Sequence, residues 1–184
     1  MAKMESRAHL ERWQEAPDFH LVDTHGGEIP LVSLQGSKAT VIIFMCNHCP
    51  FVLFKLKRMI ELAQKYSSKG VSFVGINSND AQEVPEDSFE HMQGFAQEHK
   101  LPFPYLYDES QEVAELYGAT CTPDPFVFDR HLKLAYHGRF DNALSPGEKT
   151  TDLIFERVLD ALIAGTTSEP WFLPSMGCSI KWRE

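Results

Sequence analysis

The chain is poor in basic residues and has no long apolar run. Lys and Arg number 17 against 26 Asp and Glu, which gives a formal net charge of -9, and the basic cluster that stands out is KLKR at 55–58. An acidic protein of this kind repels nucleic acid and anionic lipid. No window approaches the roughly 20 apolar residues of a bilayer span, and the first 19 residues lack the apolar stretch of a secretory signal. We therefore expect a cytosolic protein with neither nucleic acid nor membrane as a partner.

Cysteine is sparse as well, with four residues in a chain of 184. This length, with 43% hydrophobic content, fits one globular domain with its own core. In a reducing cytosol, four cysteines are poorly suited to act as two static disulfides. Cys46 and Cys49 form a C-x-x-C pair, whereas Cys121 and Cys178 are isolated. The close pair indicates redox catalysis or metal binding.

The apolar pattern predicts an α/β domain with a mixed central sheet. Residues 40–45, TVIIFM, form the continuous β-branched run of a strand buried on both faces. An amphipathic helix is predicted over 49–67, and a hairpin around Gly26 and Gly27. The domain is expected to span 16–165, between an N-terminal extension at 1–15 and a tail at 166–184 that packs on or over it. The other predicted elements are a strand at 71–78, a helix at 89–99, a short helix from a capping box at Asp108 and Gln111 to Gly118, strands at 126–128 and 132–137, and a helix from Ile154 to about Gly165.

The cysteine pair lies at the turn between the buried strand and the first long helix. Unpaired backbone N–H groups and the positive end of the helix dipole stabilise an anion there, so a thiol at this position has a lowered pKa and reacts well with disulfides. We predict that Cys46, the outer residue, is the nucleophile. Cys49, one turn further along, is then placed to resolve the mixed disulfide.

Three segments together resemble the thioredoxin superfamily, in the redoxin branch that holds AhpC/TSA and TlpA-like proteins. They are CNHCP after the buried strand, GATCTPDPFVFD at 118–129, and APDFHLVDTHGGEIPLVSL at 16–34. The resemblance covers about residues 16–164 and implies a thioredoxin-like three-layer sandwich with an N-terminal β-hairpin. It also implies that Pro123 follows a cis peptide bond. The loop of Thr122 and Pro123 would then lie against the dithiol and receive the substrate backbone.

His48 occupies one of the two positions that tune redox poise between the cysteines. An imidazole there stabilises the Cys46 thiolate, favours the reduced dithiol and makes the disulfide more oxidising. Strongly oxidising members of the family also carry histidine just before the second cysteine, so the resemblance points the same way. We predict that His48→Ala lowers the reduction potential. The alternative is an exposed first-turn histidine with no electrostatic role.

The chain also departs from the patterns of this family. Met45 stands where a tryptophan usually precedes the first cysteine, and no Asp or Glu occurs over 37–45 to help deprotonate the second. Peroxiredoxins use P-x-x-x-[ST]-x-x-C. Aligned on Cys49, the proline and Ser/Thr positions of that motif hold Ile42 and Cys46. A thiol peroxidase of the redoxin type is the alternative function, although the chain lacks the peroxide-binding motif of that class.

Two further questions concern metal and the isolated thiols. Structural zinc sites usually show two close ligand pairs, whereas this chain has one, so we predict no metal site. A non-enzymatic module that holds copper or zinc through Cys46, His48 and Cys49, or that only binds a protein partner, is the alternative. Cys121 and Cys178 are possible accessory thiols. Packing is the simpler role for the first, and the second is either inert or part of a regulatory disulfide.

The sequence thus predicts a cytosolic thiol–disulfide oxidoreductase. Its catalytic residues would be Cys46, Cys49 and His48, and its substrate-binding residues Thr122 and Pro123. We expect no cofactor beyond the redox-active Cys46–Cys49 disulfide. The expected partners are a protein or small-molecule disulfide substrate and a separate dithiol reductant.

Overall fold

The computed structural model describes residues 3–184. Over this range, two single turns of 3-10 helix, Leu31–Leu34 and Pro85–Asp87, accompany the regular elements. The strands over this range are β1 Lys3–Glu5, β2 His20–Asp23, β3 Glu28–Pro30, β4 Ala39–Phe44, β5 Val71–Asn77, β6 Tyr105–Tyr107, β7 Cys121–Thr122, β8 Asp124–Asp129, β9 Leu134–Gly138, β10 Phe172–Leu173 and β11 Met176–Ser179; the helices are α1 Pro50–Ser67, α2 Phe89–Glu98, α3 Glu112–Tyr117 and α4 Ile154–Ile163.

The central sheet is mixed, as the sequence predicts. Within residues 3–184 it has eight strands in the order β10-β9-β8-β4-β5-β6-β2-β3. β4 pairs with β5, β5 with β6, and β9 with β10 in parallel, and the other pairs are antiparallel. The predicted glycine-turn hairpin is β2 with β3, and the predicted late hairpin is β8 with β9.

The alternation of side chains along β4 divides the core into two layers. Val41 and Ile43 face a cluster built with α1, α2 and α4, whereas Ile42 and Phe44 face a second cluster built with α3 and the hairpin. Every residue of β4 is buried, because a central strand with helices on both faces has no solvent side. The predicted thioredoxin-like α/β sandwich is confirmed.

The region around 105–118 differs from the prediction. β6 was not predicted, because this three-residue strand follows a proline and is too short to show a period. The predicted capping box is wrong in detail, since α3 begins at Glu112 and its N-cap is Gln111 in a left-handed conformation (φ 68). Asp108 acts from further away, where its Oδ2 accepts a hydrogen bond of 2.9 Å from the Ala114 N–H.

The tail, which shows no hydrophobic period, forms β10 and β11. β10 extends the central sheet beside β9. β11 is the middle strand of a second sheet, with β1 on one side and β7 on the other. The domain boundaries proposed from the sequence stay a prediction. No helix within residues 3–184 combines the length and the apolar character that a membrane crossing needs.

Candidate active site

The C-x-x-C segment connects the end of β4 to the start of α1. Pro50 is the first residue of α1 and Cys49 is its N-cap. Proline suits this first position because its missing N–H would have no partner within the helix. The helix therefore starts one residue later than predicted, and Cys46 lies three residues before the cap. Both cysteine residues are fully buried, at 0% exposure.

Cys49 carries the lowered pKa of this site. A hydrogen bond from the Cys46 thiol is the largest cause, and contacts with Cys178 and with the backbone N–H of Val52 add to it. Against the opposing effect of burial, these interactions lower the pKa of Cys49 to about 5. Val52 is the third residue of α1, so its N–H is one of the donors that a helix start leaves without a backbone partner. The helix terminus therefore stabilises the inner thiolate.

Cys46 behaves in the opposite way. Its pKa is raised, first because its proton is hydrogen-bonded to Cys49, then because of burial and the negative charge of Asp87. The Thr122 hydroxyl, 3.3 Å from the Cys46 sulfur, offsets part of this effect. The expectation of a lowered pKa for Cys46 is wrong, because the Cys46 thiol donates the hydrogen bond that stabilises the Cys49 thiolate. Which sulfur attacks a substrate stays a prediction.

Replacing Cys46 by alanine should raise the pKa of Cys49 from about 5 toward 9.0, the ordinary value. In the wild-type protein the Cys49 thiolate is protonated only as the pH falls through about 5. In the variant it should be protonated at a higher pH, nearer 9.0. A titration of thiolate ultraviolet absorbance on reduced protein measures this difference. Cys121→Ala is the control, because Cys121 is not among the causes of the Cys49 shift. An unchanged midpoint in Cys46→Ala would contradict the hydrogen-bonded pair.

His48 is paired with a buried carboxylate that sequence analysis did not single out. Its Nδ1 lies 2.6 Å from Oδ2 of Asp87, whose side chain is fully buried. The same carboxylate accepts hydrogen bonds of 2.8 Å from the backbone N–H of Asn47 and 2.7 Å from Nδ2 of Asn79. Asp87 lies in an acidic, proline-containing loop after β5, where the carboxyl end of a central strand reaches the site. The location of Asp87 in the loop after a central strand was the sequence feature that could have identified it as part of the site.

A groove opens beside His48 on the surface. It is bordered by α2 and by the loop after β5, and three carboxylates line it together with His91. Glu90 is one of these and is exposed to solvent. The groove is thus acidic, whereas the charge of the buried Asp87 is stabilised by its contacts with His48, Asn47 and Asn79. The three lining carboxylates belong to Glu86, Glu90 and Glu98.

One group of side chains has the spacing of a metal site. Among residues 3–184, ligand atoms of Cys46, His48 and Asp87 lie within 4.8 Å of one another. The group differs from the alternative considered from the sequence, because a carboxylate takes the place of Cys49. A thiolate, an imidazole and a carboxylate are all ligands that zinc accepts.

The loop of Thr122 and Pro123 lies directly against the two thiols. The peptide bond between these residues is cis. The Thr122 carbonyl oxygen lies 3.3 Å from the Cys49 sulfur, while the hydroxyl of the same residue contacts Cys46. Both predicted substrate-binding residues are therefore at the dithiol. The next residue, Asp124, is buried and hydrogen-bonded by His137 at 3.0 Å and by the Ser175 hydroxyl at 2.8 Å.

The two remaining thiols differ in their positions. Cys121 is buried on β7, and burial, followed by the charge of Asp124, raises its pKa. Cys178 is buried on β11 with its sulfur 2.7 Å from that of Cys49. Sequence analysis could not place Cys178, because no period marked the strand that carries it. The accessory roles of both residues stay predictions.

A dithiol at the start of the helix that follows a buried strand, faced by a cis-proline loop, defines a thioredoxin-like protein. The AhpC/TSA family model matches residues 13–137, and the chain belongs to this family. The predicted redoxin branch is thereby confirmed. The thiol–disulfide oxidoreductase ResA of Bacillus thuringiensis is 26% identical over 125 residues, which is 68% of each chain.

Solved structures support the same fold. A crystal structure of an uncharacterized conserved protein from Geobacillus kaustophilus has a TM-score of 0.94 and 46% identity, covering 100% of this chain and 97% of the other. A putative thiol:disulfide interchange protein DsbE from Chlorobium tepidum has a TM-score of 0.61 and 25% identity over 70% of this chain and 85% of its own. The first similarity includes the tail, whereas the second covers a smaller part of the chain.

Proposed function

We propose that the protein is a thiol–disulfide oxidoreductase whose redox centre is the Cys46–Cys49 dithiol. The observation that carries the proposal is the position of the two buried thiols at the start of α1, where their interaction lowers the pKa of Cys49. A thiolate is the form that attacks a disulfide. Membership of a redox family and the contacts of Thr122 with both sulfurs support the proposal.

In the proposed reaction Cys46 passes its proton to Cys49 along their hydrogen bond and attacks one sulfur of a substrate disulfide. The substrate S–S bond breaks, a Cys46–substrate disulfide forms, and the first substrate sulfur leaves as a thiolate. Cys49 then gives its proton to the first substrate thiolate and attacks the Cys46 sulfur, which forms Cys46–Cys49 and releases the second substrate thiolate. The substrate gains two electrons, and a separate dithiol returns them to the protein. Thr122 and Pro123 receive the substrate backbone beside the reacting sulfurs.

The test is an anaerobic equilibration in graded glutathione buffers, followed by differential alkylation and peptide mass spectrometry. We expect Cys46 and Cys49 to link to each other with a definable potential. Disulfide reduction should fall by at least tenfold in Cys49→Ser, because Cys46 then has no resolving partner. Cys121→Ser is the matched control, since this buried thiol lies beside the site and has no role in the proposed cycle. Unlinked cysteines in wild-type protein would overturn the proposal.

Metal binding is the second candidate, favoured by the group of Cys46, His48 and Asp87. In that case the thiolate is held as a ligand instead of cycling through a disulfide. Metal analysis of the same samples separates the two functions. Stoichiometric zinc or copper that His48→Ala and Asp87→Asn both remove would support the binding module, whereas metal-free protein with a reversible disulfide supports the oxidoreductase. The cytosolic location and the nature of the substrate stay predictions.

A further inference from the structure

The tail strand β11 occupies the edge of the strand that leads into the cis-proline loop. In its antiparallel pairing with β7, Cys178 lies opposite Thr122 and Ser179 opposite Cys121. Backbone N–H and C=O groups at a strand edge are what an incoming extended peptide pairs with. Here that edge is already paired with a segment of the same chain. β11 therefore lies where the proposed function needs an extended substrate.

The side chain that β11 presents to the site is a thiol. The Cys178 sulfur lies 2.7 Å from the Cys49 sulfur, which is also hydrogen-bonded to Cys46. A disulfide bond is about 2.05 Å long. The two sulfurs therefore need to approach each other by less than about 1 Å to form one. Cys49 thus has a thiol neighbour on either side and can form a disulfide with only one of them at a time.

We propose that Cys178 is a third redox-active residue and that β11 acts as a built-in substrate of the dithiol. The inference rests on the proposed function, because it starts from the Cys46–Cys49 disulfide. The Cys178 thiolate attacks the Cys49 sulfur, the Cys46–Cys49 bond breaks, and the Cys49–Cys178 bond forms. Cys46 leaves as a thiolate and takes up the proton that Cys178 gave up. No electrons enter or leave, so the exchange needs no further oxidant or reductant.

The electrostatic setting of Cys178 changes with the redox state. In the reduced protein its pKa is raised to about 12, first by burial and then by the hydrogen bond and charge of Cys49. The positive charge of Lys181 acts in the opposite direction. When Cys49 is part of a disulfide its sulfur carries no charge, so the two contributions from Cys49 disappear. The oxidised protein therefore favours the Cys178 thiolate more than the reduced protein does.

The exchange has a consequence for the site. It returns Cys46 to the thiol form while the disulfide is held between α1 and the tail. β11 is then attached covalently in the position that covers the dithiol. In the reduced protein β11 is held by non-covalent contacts and can separate from the site, whereas after the exchange it cannot do so until a reductant breaks the Cys49–Cys178 bond. Oxidation of the dithiol would thus regulate access to it.

The decisive variant is Cys46→Ser, which leaves Cys49 and Cys178 as the close pair. The reduced Cys46→Ser protein is incubated anaerobically with oxidised glutathione, and its disulfide linkages are mapped by mass spectrometry of non-reduced peptides. We expect the Cys49–Cys178 linkage to be the main product. In Cys46→Ser/Cys178→Ser, Cys49 should instead keep bound glutathione. Cys46→Ser/Cys121→Ser is the matched control and should still form the linkage. Cys121 precedes Thr122, the residue opposite Cys178, and adjacent residues of a strand point to opposite faces.

A Cys46→Ser protein that accumulates glutathione on Cys49 and leaves Cys178 free to alkylation would overturn the inference. Mapping of oxidised wild-type protein repeats the test without a substitution, and the inference requires both the Cys46–Cys49 and Cys49–Cys178 linkages there. Cys178→Ser separates the two proposals. If it still forms Cys46–Cys49 while no Cys49–Cys178 linkage is found in wild type, the oxidoreductase stands and the inference fails. If it forms no Cys46–Cys49 linkage and reduces no disulfide, the proposed function fails.

Discussion

Replacing Gly177 by alanine is expected to make the buried dithiol accessible to alkylation. A Cβ atom at Gly177 would lie 2.0 Å from the backbone oxygen of Thr122 and 2.6 Å from the carbonyl carbon. Neither atom can rotate away as a flexible side chain would, so β11 and β7 must separate. Overpacking of this kind typically costs about 1–3 kcal/mol. The population with β11 displaced, and with it the alkylation rate of Cys46 and Cys49, should therefore rise between about 5-fold and about 150-fold.

The measurement is the rate at which iodoacetamide modifies each cysteine of the reduced protein, followed by peptide mass spectrometry. Gly94→Ala is the matched control, since a Cβ there has no neighbour within 4 Å and Gly94 lies within α2. Circular dichroism should show that both variants keep the fold. A folded Gly177→Ala protein that reacts at the wild-type rate would show that β11 does not limit access to the dithiol.

The closed position of β11 explains how a reactive thiolate coexists with complete burial. The pKa of Cys49 is low because hydrogen bonds with Cys46, Cys178 and the backbone of Val52 stabilise its thiolate. Burial alone would raise that pKa. The same strand that supplies one of these partners, Cys178, also closes the site. Displacing β11 in Gly177→Ala therefore changes both access and the Cys178 contact, whereas Cys46→Ala changes the hydrogen-bonded pair of thiols with β11 unaltered.

Local sequence patterns were sufficient for the fold and for the location of the dithiol. The apolar run of β4 and the period of α1 depend on neighbouring residues, and they place Cys46 and Cys49 at one turn. The sequence does not show how charge is divided between the two sulfurs, because that depends on the hydrogen bond between them and on the contacts of Cys49 with Cys178 and Val52. The helix begins one residue later than predicted, which is within the ordinary uncertainty of such a prediction.

The partners of the dithiol could not be predicted, because they come from distant parts of the chain. Asp87 is 39 residues from His48 and reaches it only after β5 returns the chain to the same edge of the sheet. β11 carries Cys178 within MGCS, a four-residue strand with no apolar alternation. Its place is decided by backbone pairing with β7, which leaves no trace in side-chain pattern. Long-range pairing and buried charge are thus the features that required the structure.

Substitutions of the His48 and Asp87 pair should shift the reduction potential in opposite directions. Asp87 lies close enough to Cys46 to raise the pKa of that thiol by its negative charge. In Asp87→Asn the charge is gone, the thiolate of the reduced dithiol is more stable, and the potential should rise. In His48→Ala the buried carboxylate loses the imidazole 2.6 Å away. Its charge then opposes the thiolate more strongly, and the potential should fall.

A change of one pKa unit corresponds to about 1.4 kcal/mol, or about 30 mV for this two-electron couple. We expect shifts of about this size in glutathione titrations near neutral pH, where the pair carries its thiolate. Glu90→Gln is the matched control, because it removes an exposed carboxylate from the groove beside His48, where solvent screens the charge. Shifts of the same sign in His48→Ala and Asp87→Asn, or a Glu90→Gln shift as large as theirs, would contradict the argument. The potential would then be set by the cysteines and their helix alone, and His48 would be a structural partner of the Asp87 loop.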